Sequence, residues 1–328
     1  MDKNLVVGID VGGQSTKLGV VDAFGKILAS TVFDTKPVTE LRVYMELLQA
    51  NLEKLFADPT VGGKDRIKGI GIGAPNGNYY KGTIEAAPNL KWAKDAQGNT
   101  VVVYLKTMVE AMFGIPVVVT NDANAAAQGE MIYGAAKGKK NFIEITLGTG
   151  VGSGIVIDGK IVYGHDGFAG ELGHITAVRG NGRQCNCGRV GCLETYASAI
   201  GVARTAREML EMQPARESEL RNLPLSDITS KDVFEAASKG DALAIDVFNY
   251  TGKLLGNAFA DFVAFSAPEA IVMFGGLAQA GELIFKPTRD AMEASLLSIW
   301  KGKVDVIPSK LPGSDAAILG SAALAWEI

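Results

Sequence analysis

Four side chains with soft or borderline donor atoms fall close together in this 328-residue chain: His174, Cys185, Cys187 and Cys192, in the segment GELGHITAVRGNGRQCNCGRVGCLETY. These are all three cysteines of the chain and one of its two histidines. One His and three Cys make a closed tetrahedral set for zinc, and with every position filled by protein no place is left for water. The metal expected here is therefore structural and fixes a loop. The C-x-C step is tight, but Gly188 and Gly191 supply turns. Free buried thiols beside an unrelated histidine are the other reading. A secreted disulfide framework is disfavoured by the odd, clustered count. Glu171 lies three positions before His174 and Glu194 two after Cys192. Carboxylates accept hydrogen bonds from paired hydroxyls at roughly 2.5–3 Å, so a loop pinned by metal suits a polyol. Each Glu also fits a surface or capping role. His174 has a second ring nitrogen free to meet the same ligand, whereas His165, in YGHDG, reads as a loop residue.

A second constellation is Asn121-Asp122, after the strand-like run VVVT and before the helix-like ANAAAQGE. Asp or Asn there caps a helix. The same Asp can act as a general base toward a hydroxyl while Asn121 holds a neighbouring one, as phosphoryl transfer to an alcohol requires. Three glycine-bearing segments supply the phosphate side of that chemistry, because successive backbone N–H groups can converge on phosphate oxygens. In the first, Asp10 precedes Gly12 and Gly13, with Gln14, Thr16 and Lys17 close by. A carboxylate beside a phosphate loop makes sense if Mg²⁺ bridges it to ATP; a tight hairpin with a solvated Asp is the alternative. In the second, Gly148, Thr149 and Gly150 begin GTGVGSG, and Gly275-Gly276 offer a third close approach, suited to a nucleoside. Neither G-x-x-x-x-G-K-[ST] nor a fitting G-x-G-x-x-G is present, which disfavours a P-loop or a nicotinamide fold.

The elements that must carry these residues form a repeated pattern. LVVGID at 5–10, a glycine turn, LGVVD, AFG and KILAS read as strands joined too tightly for crossover helices, hence antiparallel. FIEITL at 142–147, GTGVGSG, IVID, GK and IVYG repeat the plan. Strands at 67–73 and 115–119 alternate with helices at 40–56 and 101–113. Later helices are expected near 195–212, 231–239, 241–264, 288–299 and 315–326, with strands at 270–274 and 304–307. This predicts an α/β fold, duplicated in two domains: 1–120, joined by the C-terminal helix 315–328, and 121–314. Glycine is enriched, 40 residues or roughly 12% against about 7% in ordinary proteins. A formal charge of −4 without a long basic tract argues against nucleic acid. No apolar run reaches the ~18–20 residues that span a bilayer, and the N-terminus is no convincing signal peptide, so a cytoplasmic protein is expected.

Taken together, CNCGRVGCLE at 185–194, DVGGQSTK at 10–17 and GTGVGSG at 148–154 resemble the ROK family of sugar kinases, over essentially the whole chain. APNGNYY…APNLKW, NDANAAAQGE and HDGFAGELGH most resemble its glucokinases. The resemblance implies a two-lobed sugar kinase/actin/Hsp70-like (ribonuclease H-like) fold with an interdomain cleft. It implies ATP-dependent phosphorylation of glucose at the C6 hydroxyl, with Asp122 as the base. Asn121, Glu171, His174 and Glu194 would bind the sugar, flanked by Asn76, Asn78 and Asn89. Asp10, Gly12, Gly13, Thr149 and Gly276 would line the ATP cleft, and His174 with the three Cys would hold Zn²⁺. Other sugars known for the family, such as fructose, N-acetylglucosamine and N-acetylmannosamine, are alternatives, as is a non-catalytic sugar sensor. No helix-turn-helix segment precedes the first strand, which disfavours a repressor. A homodimer is the family's suggestion. One departure stands out: Gln14 replaces the usual Thr of D-x-G-G-T, and a weaker grip on ATP is expected from it.

Overall fold

A computed structural model of the chain describes residues 3–313 and 315–328. The elements, in chain order, are β1 (Leu5–Val11), β2 (Ser15–Asp22), β3 (Ile27–Asp34), α1 (Leu41–Phe56), β4 (Ile67–Gly73), β5 (Gly77–Asn78), β6 (Thr83–Ile84), α2 (Leu105–Phe113), β7 (Val117–Thr120), α3 (Asp122–Ile132), β8 (Phe142–Leu147), β9 (Val151–Ile157), β10 (Lys160–Ile161), α4 (Glu194–Ala197), α5 (Ala199–Met212), α6 (Ser230–Ser238), α7 (Ala242–Ser266), β11 (Ala270–Phe274), α8 (Glu282–Ser295), β12 (Asp305–Pro308) and α9 (Ala316–Leu324). They fall into two compact units. One comprises 1–138, 161–170 and 310–328; the other comprises 139–160 and 171–309.

Each unit is built on a five-stranded sheet of the same plan: β3-β2-β1-β4-β7 in the first and β10-β9-β8-β11-β12 in the second. In both, a glycine turn folds the leading strand into an antiparallel hairpin, β1/β2 or β8/β9. Parallel strands then extend the other edge, β4 and β7 in one case, β11 and β12 in the other. Short turns permit only antiparallel neighbours, and the helical connections permit parallel ones.

The first sheet is covered on both faces, which explains its near-continuous apolar strands. Val7, Ile9, Ile70 and Ile72 pack with Tyr44, Leu48 and Leu52 of α1 and Leu105 and Val109 of α2. Each such side chain contributes about 1.5–3 kcal/mol when fully buried. Gly8 and Gly71, on the opposite face, let α9 lie directly on the strands: a Cβ at Gly71 would fall 1.9 Å from Ser321 O, and one at Gly8 2.1 Å from Ile318 O. Gly71→Val would therefore lift the helix off the sheet. Helix α3 joins the same layer, because Gly129 faces Gly320 so closely that a Cβ would sit 2.8 Å from the Gly320 Cα.

That packing places α3 in the first unit, so the first boundary falls after Gly138 and not near 120. Segment 161–170 returns to the first unit as well, where Asn78 Nδ2 donates to Asp166 O at 2.7 Å and the Tyr80 hydroxyl to Gly164 O at 2.8 Å. Ser314, the end of the second domain read from the sequence, lies outside the described residues. The helix expected at 195–212 is broken at Ser198, whose hydroxyl accepts from Gly201 N and starts α5. Helix α8 begins earlier than expected and contains Pro287, whose ring lies against Gly252 of α7. No described helix is long and apolar enough to cross a membrane.

Candidate active site and metal centre

In the first unit the parallel strands bring two carboxylates to one edge of the sheet. Asp10, Gly73 and Thr120 are aligned across β1, β4 and β7. With about 4.8 Å between strands, the Asp10 and Thr120 Cα atoms lie roughly 10 Å apart, and Asp122 is two residues beyond Thr120. Asn121 caps α3: its side-chain oxygen accepts from Asn124 N at 2.7 Å. The capping task therefore falls to Asn121, leaving its amide N–H groups as donors. The Asp122 carboxylate accepts from Ala123 N at 2.9 Å and remains open to solvent.

Both carboxylates hold protons more tightly than usual. Asp10 is pushed up to about 6, by burial first and by the Asp122 charge second, with Lys17 across the hairpin pulling the other way. Asp122 is raised by burial, against the opposing pull of the Ala123 N–H. Burial here means protein packed around a carboxylate that still touches water. A raised carboxylate suits a general base working near neutral pH. Two mutually repelling carboxylates beside a glycine turn also fit a hard divalent cation, which takes oxygen ligands.

The turn itself is tight, with Gly12 N donating to Ser15 O at 3.0 Å. Gly13 runs so near the exposed Asn89 that a Cβ would fall 2.8 Å from Asn89 O. The Gln14 side chain is exposed, while its carbonyl accepts from Thr35 N and Lys36 N at 2.9 and 3.1 Å. Two expected contacts are corrected. Thr16 points into the core, its hydroxyl 3.0 Å from Thr35 Oγ1 and 3.3 Å from the Tyr44 hydroxyl, so it does not face phosphate. Asn78 is buried, and its oxygen accepts from Tyr80 N and Lys81 N while its amide holds Asp166 O. It builds the loop and does not present itself to a sugar. Asn76 is exposed in a left-handed turn, φ +51°, with its amide donating to Ala86 O at 2.9 Å.

In the second unit the metal-type cluster is assembled. The donor atoms of His174, Cys185, Cys187 and Cys192 all lie within 4.8 Å of one another. A tetrahedron with Zn–S of about 2.3 Å has edges of about 3.8 Å. Cys187 Sγ and Cys192 Sγ are 3.7 Å apart, and Cys185 Sγ is 3.8 Å from His174 Nδ1. The residues fit. Burial and the neighbouring thiols push Cys192 up to about 12, a cost that a bound cation removes by stabilising thiolate. His174 Nε2, on the other side of the ring, is 4.0 Å from the Glu171 carboxylate.

The cluster is docked on the glycine loop through one residue that sequence reasoning missed, Val151. Its N–H donates to Glu194 Oε2 at 3.1 Å. On its other side Gly173, next to His174, approaches so closely that a Cβ would fall 2.1 Å from Val151 O. Glu194 Oε2 also crowds Gly150, where a Cβ would lie 2.3 Å away. Loop 148–150 is thus held against Glu194, and Gly148 O accepts from Ala199 N at 2.8 Å. Thr149 is exposed. The only cue in the sequence was that β9 starts directly after the loop. Gly275, at the end of β11 beside β8, abuts Leu147 O. The 3₁₀ turn Leu277–Ala280 follows Gly276 and ends at a groove of about 400 Å³ lined by Phe234, Ile245, Asn249, Ala280, Lys286 and Pro287.

Comparison with known proteins gives a consistent result. The chain matches the ROK family over residues 6–328. It is 38% identical to a glucokinase of Halalkalibacterium halodurans, covering 98% of this chain and 94% of that protein. It is 37% identical to a glucokinase of Streptomyces coelicolor, covering 98% of each. Among solved structures it superposes on a ROK family glucokinase from Streptomyces griseus in complex with glucose and AMPPNP, with a TM-score of 0.78 and 34% identity, covering 99% of this chain and 100% of that one. It also superposes on a ROK family transcriptional regulator, a homologue of the E. coli MLC protein, with a TM-score of 0.84 and 27% identity, covering 98% of this chain and 78% of that one. The acid edge, the His/Cys₃ loop and a match that spans nearly the whole chain lead to one conclusion: this protein belongs to the ROK family and has its α/β sugar-kinase fold, shared with the actin/hexokinase/Hsp70 superfamily.

Proposed function

We propose that this protein is an ATP-dependent glucokinase that transfers the γ-phosphoryl group to the C6 hydroxyl of glucose. The observation that carries the proposal is the Asp122 carboxylate, open to solvent, raised in pKa and freed from capping by Asn121. Asp122 accepts the hydroxyl proton as the oxygen attacks, and the Asn121 amide donates to a neighbouring sugar oxygen. Glu171, Glu194 and His174 Nε2 hold further hydroxyls, with Asn76 and Asn89 at the flank. Backbone N–H groups of Gly13, Thr149 and Gly150 receive the phosphates, at turns that the Gly12 and Gly148 N–H groups close through Ser15 O and Gly150 O, with Lys17 near Asp10. Gly275, Gly276 and the adjoining groove take the nucleoside. For this the substrate must lie in a cleft between two lobes. Mg²⁺ supplies charge neutralisation on the phosphate oxygens when bound, and Asp10 is the carboxylate placed to hold it. Zn²⁺ in the His174, Cys185, Cys187 and Cys192 set is structural. The same proposal carries with it a cytoplasmic homodimer that binds no nucleic acid.

The test compares glucose, fructose, N-acetylglucosamine and N-acetylmannosamine by kcat/KM at saturating ATP. Glucose is expected to be the best substrate. Asp122→Asn is expected to lower kcat by about 10²–10⁴-fold, the usual contribution of a positioned base. Near-equal kcat would remove the base assignment. A higher kcat/KM for an acetylated amino sugar would reassign the substrate. Sugar binding without turnover would favour the sensor reading, to which the similarity to a regulator points.

A further inference from the structure

Glu194 opens α4, a helix of only four residues, Glu194–Ala197. So short a helix cannot hold its own geometry, because nucleation fixes several residues for one hydrogen bond. It has no side-chain N-cap. What fixes it from behind is Arg183, two residues before the first ligand cysteine and only 6% exposed at its side chain. Arg183 Nη1 donates to Thr195 O at 2.7 Å and to Gly201 O at 3.2 Å; Nη2 donates to Thr205 Oγ1 at 2.9 Å and to Glu208 Oε2 at 2.5 Å. The guanidinium stacks 4.4 Å from the centre of the Tyr196 ring, and the Arg183 N–H donates to the Tyr196 hydroxyl at 2.8 Å. The two residues that follow Glu194 are therefore both gripped by one buried cation. Its charge is balanced by Glu208, which Arg204 also pairs at 2.7 Å. Only a planar five-donor fork can reach this set of partners at once.

We propose that Arg183 is a positioning residue for Glu194. It holds the backbone of α4 so that one carboxylate oxygen stays on Val151 N, at the glycine loop, while the other stays beside Cys185 Sγ at 3.8 Å and faces the sugar. The consequence for turnover rests on the sugar-kinase reading; the consequence for Val151 does not.

The experiment uses the full chain and the variants Arg183→Met, Arg183→Lys and Glu208→Gln. Amide exchange at Val151 is expected to accelerate at least tenfold in Arg183→Met, as it should when its acceptor is removed in Glu194→Ala. Arg183→Lys, which keeps the charge but loses the fork, should fall between, and it serves as the readout if the Met variant does not fold. Glu208→Gln should leave Val151 protected, since the carbonyl and ring contacts of Arg183 persist. With glucose, Arg183→Met should raise KM about tenfold or more and change kcat less than about threefold, with metal content per chain unchanged. Unaltered Val151 exchange in a folded Arg183 variant would overturn the proposal, as would loss of metal in step with activity. If wild-type protein turns over no sugar but the Val151 pattern appears, the kinase reading falls and the positioning role stands.

Discussion

The two sheets share strand order, hairpin and crossovers, yet their edges carry opposite chemistry. In the first, β1 delivers Asp10, set by ladder register against Gly73 and Thr120, and β7 leads two residues on into Asp122 at the start of α3. In the second, β8 and β11 run out into Gly148 and Gly275, glycine turns in place of carboxylates. The acid that reaches that edge, Glu194, comes from a loop and a single helical turn. A strand-borne carboxylate is positioned by the sheet itself. A loop-borne one needs staples from outside, here the His/Cys₃ cluster in front and Arg183 behind. The duplicated scaffold is thus generic, and the two or three residues past each strand end decide what each copy contributes.

Removing the front staple should have the largest effect of the perturbations that separate the two edges. Protein purified without added zinc is expected to carry about one zinc per chain, and Cys192→Ser should lose it, since structural zinc in such sets binds with about 10–16 kcal/mol. Both His174 and Glu194 would then lose their hold, so KM for glucose should rise more than tenfold. The strand-borne pair should be untouched, and the far-UV circular dichroism should keep its helix and sheet signal. Metal-free wild-type protein with full activity would reject the metal centre.

The same distinction explains what was legible in the sequence. The glycine-turn hairpins and the parallel strands are written in local periodicity, and so is Asp122, placed by a strand end on one side and a helix start on the other. The ligand set was legible because its spacing is short and rare. Thr16 was misread because the glycine turn next to it suggested phosphate. Yet Thr16, Leu18 and Val20 alternate along β2 on one buried face, and that period-2 pattern was the available signal. Asn78 could not be placed, since its partner Asp166 comes from a distant segment. Arg183, in a glycine-rich polar stretch, looks like a solvated surface residue, and its partners, including Tyr196 and Glu208, come from helices further along. The domain boundary depended on whether α3 packs with α9, which close approaches such as Gly129 to Gly320 and Gly320 to Ala125 O decide.

A smaller effect is expected from relieving the acid edge. The folded-state pKa of Asp10, about 6, lies above the ordinary 3.8, so the folded protein binds this proton more tightly than the unfolded chain does. Ionised Asp10 therefore costs stability above pH 6, and that cost fades as pH falls from 6 toward 4. Without nucleotide, Asp10→Asn should be more stable than wild type at pH 7 by about 1–2 kcal/mol after solvent screening, or roughly 2–6 °C in Tm. The difference should vanish near pH 4. Mg·ATP should raise the Tm of wild type more than that of Asp10→Asn, because the carboxylate then has a cation to meet. A variant less stable than wild type at pH 7 would show that the Asp10 charge is satisfied within the protein, against the comparison drawn between the two edges.

The smallest effect concerns the turn that joins the acid edge to its hairpin. Gln14 holds Thr35 N and Lys36 N through its carbonyl, and its side chain is exposed. Replacing that side chain leaves those backbone bonds in place, so the turn should keep its shape in Gln14→Thr. A hydroxyl on a short stem is better placed than a mobile amide to meet a phosphate oxygen beside Gly12 and Gly13. It also loses less rotamer freedom on binding. KM for ATP should fall by about two- to fivefold, KM for glucose should stay unchanged, and kcat should move by less than a factor of two. An unchanged ATP KM would mean that backbone N–H groups carry the whole phosphate contact at this turn, as is proposed for the glycine loop of the second sheet. The two edges would then differ in their carboxylates alone.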